Sequence, residues 1–269
     1  MNHAAPALCE MPGMWRRSLR IDADGIRDFT AQARWLQAPS LFVDLRQSAA
    51  MPDFVQRRCL NELTFADCTQ LAAQYGSAGH CGFDGDCFEW LHLIDFQPGN
   101  GRAEAARLWW EDQVLVQAGR DVAYIEHWMR DPTVVTSPVA AVRLRDIDSG
   151  TAAVAVRVGT VFMFARDRSR VLSVSGSLAE CVAGAASLAD ARAMLDCEIT
   201  LGSTGFGAGS GDLVLASTHP WRVSERFVLT CTDSTARSVD IDPTGSAWER
   251  RWEVIEAEGD PGAVWPPRG

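Results

Sequence analysis

The chain has 269 residues, enough for one large domain or for two domains that each bury a core. Its formal net charge is −10, and no run of lysine or arginine is interleaved with aromatic residues, so the overall field repels a nucleic-acid backbone. No stretch reaches the roughly 18 to 20 apolar residues that span a bilayer, and the N-terminus lacks an apolar signal core. We therefore expect a cytoplasmic protein that binds neither nucleic acid nor a membrane.

The cysteines give no sign of a disulfide framework or of a metal site. There are eight of them, irregularly spaced, and we expect reduced thiols. The densest group of cysteines and histidines contains no CxxC or HxxxH pair, whereas structural zinc sites show tighter ligand spacing. We therefore predict no metal and no other cofactor at this group, which comprises Cys68, His80, Cys81, Cys87 and His92.

The N-terminal part of the chain is predicted to be a loose arm followed by a strand. Residues 1–13 contain two prolines and no periodicity, as is typical of a flexible terminus. Alternation then predicts a strand from Trp15 to Ile21, which ends before the hairpin sequence Asp24-Gly25. Because side chains alternate along a strand, one face is predicted to carry Trp15, Arg17, Leu19 and Ile21.

The rest of the first half consists of short predicted strands around one helix. Thr64-Phe65-Ala66-Asp67 is a capping box that begins a helix to about Tyr75, after which glycines are expected to end it. The strands have the short, regular spacing of a sandwich or barrel, which also suits a chain with ten tryptophans. They are predicted over 30–36, 41–46, 88–96, 105–110, 113–117 and 122–128.

Two of these strands place an ionisable side chain on an apolar face. In 88–96, His92 shares a face with Phe88, Trp90, Ile94 and Phe96. In 122–128, Glu126 lies between Tyr124 and Trp128 on one face. A buried, unpaired charge costs several kcal/mol or more, so both positions are candidate sites. The alternative is an edge strand or a partly wet barrel mouth, where Glu126 forms a salt bridge with an arginine.

The second half repeats this arrangement after a proline-containing junction at 132–138. Ser187-Leu188-Ala189-Asp190 is a second capping box and predicts a helix to about Leu195. The glycine-rich segment 203–212 is not a phosphate loop, because a strand rather than a helix follows it. Strands are predicted over 139–147, 152–158, 160–165, 171–175, 197–202, 213–217, 227–231 and 248–255.

A set of short motifs lies along the chain. The motifs are Trp15-Arg16-Arg17, Asp24-Gly25, Trp35-Leu36-Gln37, Phe42-Val43-Asp44-Leu45-Arg46, Trp90-Leu91-His92 with Asp95, Glu126-His127-Trp128 and Ser217-Thr218-His219-Pro220-Trp221. Together they resemble a poorly characterised bacterial and fungal family of lipocalin-like proteins. The resemblance implies a mainly β fold of two consecutive lipocalin-like antiparallel barrels, each with a short helix, over 14–131 and 139–269. The family has no activity that can be carried over.

If the first-half strands close into a barrel, Arg17, His92 and Glu126 can face one lumen, because interior positions alternate along every strand. Such a cluster among aromatic walls suits a small, mainly apolar molecule that carries a carboxylate, phenol or carbonyl, with Arg17 as the anion partner. The predicted ligand-binding residues are Trp15, Arg17, Trp90, His92, Tyr124, Glu126 and Trp128.

Three alternatives remain open at this point. An enzyme, such as a lyase, isomerase or hydrolase acting on a small hydrophobic substrate, would use Glu126 or His92 as general acid or base and Arg17 to stabilise negative charge. No nucleophile motif supports this reading. A haem protein with His92 as axial ligand is weaker, because a lone histidine on an apolar strand is usually a hydrogen-bonded core residue. A homo-oligomeric scaffold would have no pocket.

Overall fold

Antiparallel strands with alternating apolar residues build two consecutive β barrels, which a computed structural model describes over residues 5–52, 54, 56–99, 103–172, 176–204 and 211–266. This confirms the predicted mainly β fold with tandem barrels. The first barrel contains β1 (Gly13–Asp22), β2 (Arg27–Asp28), β3 (Gln32–Gln37), β4 (Leu41–Gln47), β5 (Tyr75–Phe83), β6 (Phe88–Asp95), β7 (Glu104–Glu111), β8 (Val114–Gly119) and β9 (Tyr124–Arg130).

The first sheet closes on itself because β1 pairs with both β3 and β9. The second sheet has the order β15-β14-β13-β12-β11-β10-β18-β17-β16, and its two outermost strands are consecutive in the chain. Its strands are β10 (Val139–Asp146), β11 (Ala152–Val158), β12 (Val161–Arg166), β13 (Glu198–Ser203), β14 (Asp212–Ser217), β15 (Arg226–Phe227), β16 (Leu229–Cys231), β17 (Thr235–Ile241) and β18 (Ala247–Glu258).

Short helices connect or cap the strands. They are α1 (Phe65–Leu71), α2 (Leu178–Ala183), α3 (Leu188–Met194) and α4 (Pro261–Val264), with 3-10 turns at Leu8–Glu10, Leu60–Glu62 and Pro220–Arg222. Both predicted caps form: the hydroxyls of Thr64 and Ser187 accept from backbone amides of α1 and α3. Helix α2 and strand β17 were not predicted.

The prediction that glycines end the first helix near Tyr75 was wrong. Helix α1 ends at Leu71, and the segment from Tyr75 onward is strand β5. Its glycines allow close approach instead: a Cβ at Gly79 would lie 2.0 Å from the carbonyl oxygen of Leu91 on β6. Of the strand predicted over 171–175, residues 171–172 are not in a strand and 173–175 lie outside the described residues, as do 205–210 of the glycine-rich segment.

Two β-bulges correct the predicted strand faces. On β1 the register shifts between Arg17 and Leu19, which places Arg20 opposite Glu126 of β9 and leaves Leu19 and Ile21 off the interior face. On β6 the register shifts opposite Ala78 and Gly79. Beyond it Ile94 and Phe96 join the core between the barrels, while Phe88 and Trp90 stay inside the first barrel.

The N-terminal arm is not loose over its described part. Met11 is fully buried, and its carbonyl oxygen accepts a 2.9 Å hydrogen bond from the indole nitrogen of Trp15. The guanidinium of Arg130 donates to the carbonyl oxygens of Glu10 and Pro12 and lies 4.7 Å from the centre of the Trp15 ring. These contacts close the end of the first barrel at which β1 begins.

The two barrels share an apolar core. The outward face of β4 carries Leu41, Val43 and Leu45, which are buried in one cluster with residues of β11, β12 and β13. The interior of the first barrel forms a separate aromatic cluster. Alternation along β4 therefore divides the strand between two environments, with apolar side chains toward the second barrel and Phe42, Asp44 and Arg46 toward the lumen.

We expect Gly79→Ala to lower the free energy of unfolding by about 2 kcal/mol or more, because the new methyl group clashes with backbone that cannot move independently. Gly82→Ala, in the same strand, is the matched control: a Cβ there meets nothing within 4 Å. Its effect should stay within about 0.5 kcal/mol. Urea denaturation of both variants measures the difference, and equal effects would contradict the close approach.

Candidate functional site

The first barrel has a buried carboxylate at its centre. Glu126 is fully buried on β9, and its Oε1 accepts from Arg17 at 2.6 Å and from Arg20 at 2.9 Å, both on β1. Arg46 of β4 adds a third guanidinium at 3.5 Å. The bulge on β1 brings both Arg17 and Arg20 to the same carboxylate. Burial disfavours the charged form, but the three arginines outweigh it and hold the pKa of Glu126 below its usual range.

The guanidinium of Arg17 forms ion pairs with two carboxylates. Besides Glu126, it donates to Asp28 at 3.0 Å, and its side chain is only 5% exposed. Arg20 lies 4.8 Å from the centre of the Tyr124 ring and also donates to Asp22. Neither arginine is therefore well placed as the partner of an anionic ligand, the role that the sequence suggested for Arg17.

His92 joins this centre through a chain of hydrogen bonds. Its Nδ1 lies 2.9 Å from Asp95, and its Nε2 lies 3.4 Å from the hydroxyl of Ser77. The Ser77 hydroxyl donates to Asp44 at 2.7 Å, and Asp44 in turn accepts from Arg46 at 2.6 Å. A continuous polar network therefore runs from β6 through β5 and β4 to Glu126.

The protonation of His92 follows from these neighbours. Burial disfavours the imidazolium, but the hydrogen bond to Asp95 and the charges of Asp95, Asp44 and Glu104 outweigh it and raise the pKa of His92. Glu104 accepts from the hydroxyl of Tyr124, which also accepts from Gln117 at 2.7 Å. Burial and the Glu104 charge raise the pKa of Tyr124 well above its usual value, so its hydroxyl stays protonated.

A small cavity lies between this network and the aromatic interior. Its volume is about 20 Å³, which is room for about one water molecule. It is lined by Trp35, Phe42, Asp44, Arg46, Ser77, Trp90, His92, Glu104, Gln117 and Trp128.

Two buried polar atoms on β9 have no hydrogen-bond partner among the described residues. One is Nε1 of Trp128, a residue that is only 1% exposed and lines the cavity; the other is Oε2 of Glu126. A buried polar group without a partner costs about 1–3 kcal/mol, so the indole nitrogen of Trp128, whose side chain lines the cavity, favours a polar guest. One is a donor and the other an acceptor.

The aromatic side chains beyond the cavity fill the barrel. Trp35 is at the centre, with its ring 5.6 Å from that of Trp15, 5.8 Å from Trp90 and 5.7 Å from Trp128. Trp15 lies on the far side of this layer and does not line the cavity. The layer leaves no space for a large apolar guest, since drug-sized ligands need about 300 Å³ or more.

Of the residues predicted from sequence, Arg17, Glu126 and Tyr124 belong to the network, and Trp90, His92 and Trp128 line the cavity. Asp44 and Arg46, which share one face of a strand in the sequence, form an ion pair with each other and also line the cavity. The sequence did contain a signal for this position, because Asp44 and Arg46 alternate with the apolar residues Val43 and Leu45 along one strand. Ser77, Glu104, Gln117 and Arg20 were missed, because a single polar residue in a β pattern does not show which face it occupies.

The group of cysteines and histidines considered for zinc is dispersed. Burial raises the pKa of the Cys81 thiol to about 12 and that of Cys68 to about 11, so neither forms a thiolate readily. Within the described part of the chain, no three His, Cys, Asp or Glu residues are arranged to hold a metal ion. The cavity beside His92 is far too small for haem.

Comparisons with known proteins agree with the architecture and add no activity. The solved structure of an uncharacterised protein, YLR301w from Saccharomyces cerevisiae, is similar with a TM-score of 0.53 and 11% sequence identity. The match covers 93% of this chain and 100% of that chain. The similarity is one of fold. No family model and no curated protein matches the chain. No described helix has the length and apolar character needed to cross a membrane.

Replacing Glu126 with glutamine should lower the free energy of unfolding by about 3 kcal/mol or more, because it leaves buried arginines without their shared carboxylate. Glu249→Gln is the control, since Glu249 forms an exposed pair with Arg237 and should contribute less than about 1 kcal/mol. Chemical denaturation of both variants tests this. A Glu126→Gln protein as stable as the control would show that the arginines are not held by Glu126.

The raised pKa of His92 predicts a pH-dependent contribution to stability. A histidine in the unfolded chain titrates near about 6.5, so the stabilisation is fully present below that pH and is lost as the pH rises through the folded-state pKa. The stability difference between wild type and His92→Gln should therefore shrink as the pH rises above about 6.5. Denaturation curves across this range measure it. A difference that grows with pH would contradict the assignment.

Proposed function

We propose that the first barrel binds a small molecule by a carbonyl or carboxylate group inserted into the cavity at Trp128. The observation that carries this proposal is the buried Nε1 of Trp128, a hydrogen-bond donor with no partner among the described residues, on the wall of a cavity. A guest that supplies an acceptor removes the cost of leaving this donor unpaired. The interior is thus prepared for an oxygen atom rather than for an apolar surface.

The other donors with spare capacity support the same chemistry. Arg46 uses its Nε on Asp44, but its terminal nitrogens have only the 3.5 Å approach to Glu126 among the ion pairs of the described residues. Among the described residues, Nε2 of His92 makes only the long contact to Ser77 and a 4.0 Å approach to Glu104. Arg46, rather than Arg17, is therefore the proposed anion partner.

The size of the cavity sets how the ligand enters. About 20 Å³ accommodates only the polar head, and the aromatic layer formed by Trp35, Phe42 and Trp90 forms its floor. The rest of the ligand extends toward the half-exposed edge at Asp95 and Glu104. A mainly apolar ligand buried whole in the lumen, as expected from the sequence, would require the tryptophans to move. The proposed ligand is small and enters by its polar end.

This proposal is compatible with the lipocalin-like tandem-barrel family suggested by the motifs, because small closed barrels commonly hold one small ligand. An enzyme that uses Glu126 as general acid or base is disfavoured, since three arginines lower its pKa and occupy its Oε1. Nucleic acid, a membrane and a resident cofactor form no part of the proposal, and nothing specific favours a homo-oligomeric scaffold.

A titration with acetate, and with acetamide as a neutral carbonyl probe, tests the proposal. We expect the indole N–H resonance of Trp128 to shift on binding, because this group gains an acceptor. Trp128→Phe keeps the ring and removes the donor, and it should weaken binding by ~10-fold or more. Trp109→Phe is the control: its indole bonds to Glu111 on the outer face of the barrel. Saturating probe with no shift at Trp128, or equal binding by both variants, would overturn the proposal.

A further inference from the structure

Three residues beside the cavity form a sequence of nucleophile, base and orienting acid. The Ser77 hydroxyl lies 3.4 Å from Nε2 of His92, and Nδ1 of the same imidazole lies 2.9 Å from Asp95. Serine–histidine–aspartate catalysis is recognised by these roles and distances rather than by sequence order. The separations are within the range seen before substrate tightens such a site. No sequence motif pointed to Ser77.

The same cavity brings the Ser77 hydroxyl together with hydrogen-bond donors for the carbonyl oxygen of an acyl group. Ser77 and His92 line it together with Trp128 and Arg46, the donors that we propose hold a ligand oxygen. Because Ser77 and these donors line one cavity with the volume of about one water molecule, a carbonyl group held there by Trp128 and Arg46 would lie beside the Ser77 hydroxyl. Donors placed where negative charge develops are the largest single contribution in acyl transfer.

We propose that Ser77 is the nucleophile of an esterase acting on small acyl esters, with His92 as general base and Asp95 as its positioning residue. This inference rests on the proposed carbonyl-binding function of the same cavity. In the structure the Ser77 hydroxyl donates to Asp44, 2.7 Å away, and its oxygen is also within hydrogen-bonding reach of His92. Turning the hydroxyl hydrogen from Asp44 to His92 prepares the attack.

The reaction balances with water as the only co-reactant. Oγ of Ser77 bonds to the ester carbonyl carbon while its proton passes to Nε2 of His92, and the carbonyl oxygen takes the negative charge beside Trp128 and Arg46. Collapse breaks the bond to the leaving alcohol, which takes the proton from His92. Water then attacks acyl-Ser77, gives its proton to His92 and releases the carboxylic acid, and the proton returns to Ser77.

Full-length protein incubated with p-nitrophenyl acetate tests the proposal. We expect a burst of p-nitrophenolate and a mass increase of one acetyl group, which peptide mapping places on Ser77. Ser77→Ala and His92→Gln should each reduce the rate by ~10³-fold or more. The control Ser234→Ala removes an exposed hydroxyl in the loop before β17 and should leave the rate unchanged. Asp95→Asn should shift the pH profile of the rate, which a merely structural role would not do.

Peptide mapping of the acetylated wild-type protein tests whether Ser77 is the nucleophile even if a variant fails to fold. Acetylation at other residues only, or no acyl-enzyme and no turnover, overturns the esterase. If acetate still shifts the Trp128 resonance in that case, the carbonyl-binding function stands without the esterase. If neither acetate nor acetamide binds, the proposed function fails too.

Discussion

The charge balance around Glu126 is the constraint on which the first barrel depends. A carboxylate buried this completely is tolerated only because Arg17 and Arg20 donate to it and Arg46 lies close by. All three arginines come from strands next to or across the lumen, so the barrel must be closed for the network to exist. In the part of the chain that the structure describes, the same arrangement leaves Oε2 of Glu126 and Nε1 of Trp128 without hydrogen-bond partners. Arg46 therefore belongs both to the ion network that stabilises the barrel and to the wall of the candidate site.

The second barrel also contains buried networks of ion pairs. Arg166 is buried and forms ion pairs with Asp196 and Asp240. Arg250 in turn forms ion pairs with both Asp240 and Asp146. His219 is buried beside this group, stacked on Trp221, and burial lowers its pKa. Internal ion networks are therefore a property of both barrels. In the first barrel, a small cavity lies between the network and the tryptophans.

Alternation and capping boxes in the sequence predicted most of the strands and the two capped helices α1 and α3, whereas the tandem-barrel arrangement was implied by the family resemblance. Alternation also placed Glu126 between Tyr124 and Trp128 on one face of β9. The predicted strand faces were wrong where a β-bulge adds one residue to a strand. The extra residue near Ser18 turns Arg20 inward, and the bulge near Leu93 sends Ile94 to the other core. A bulge depends on the partner strand, so no local pattern shows it. Ser77 could not be predicted as a site residue for a related reason. It lies among glycines, so no alternation of apolar residues shows which face of the strand it occupies.

The apolar outer face of β4 has a consequence for the order in which the chain folds. Leu41, Val43 and Leu45 are covered by strands that lie more than a hundred residues later in the chain. Until the second barrel has been synthesised, a finished first barrel would present this face to solvent, where it can attract other unfolded chains. A polypeptide cut after Arg130 would retain every strand of the first barrel and still lack its cover. The first barrel therefore depends on the second to keep this apolar face away from water, although its own sheet is closed.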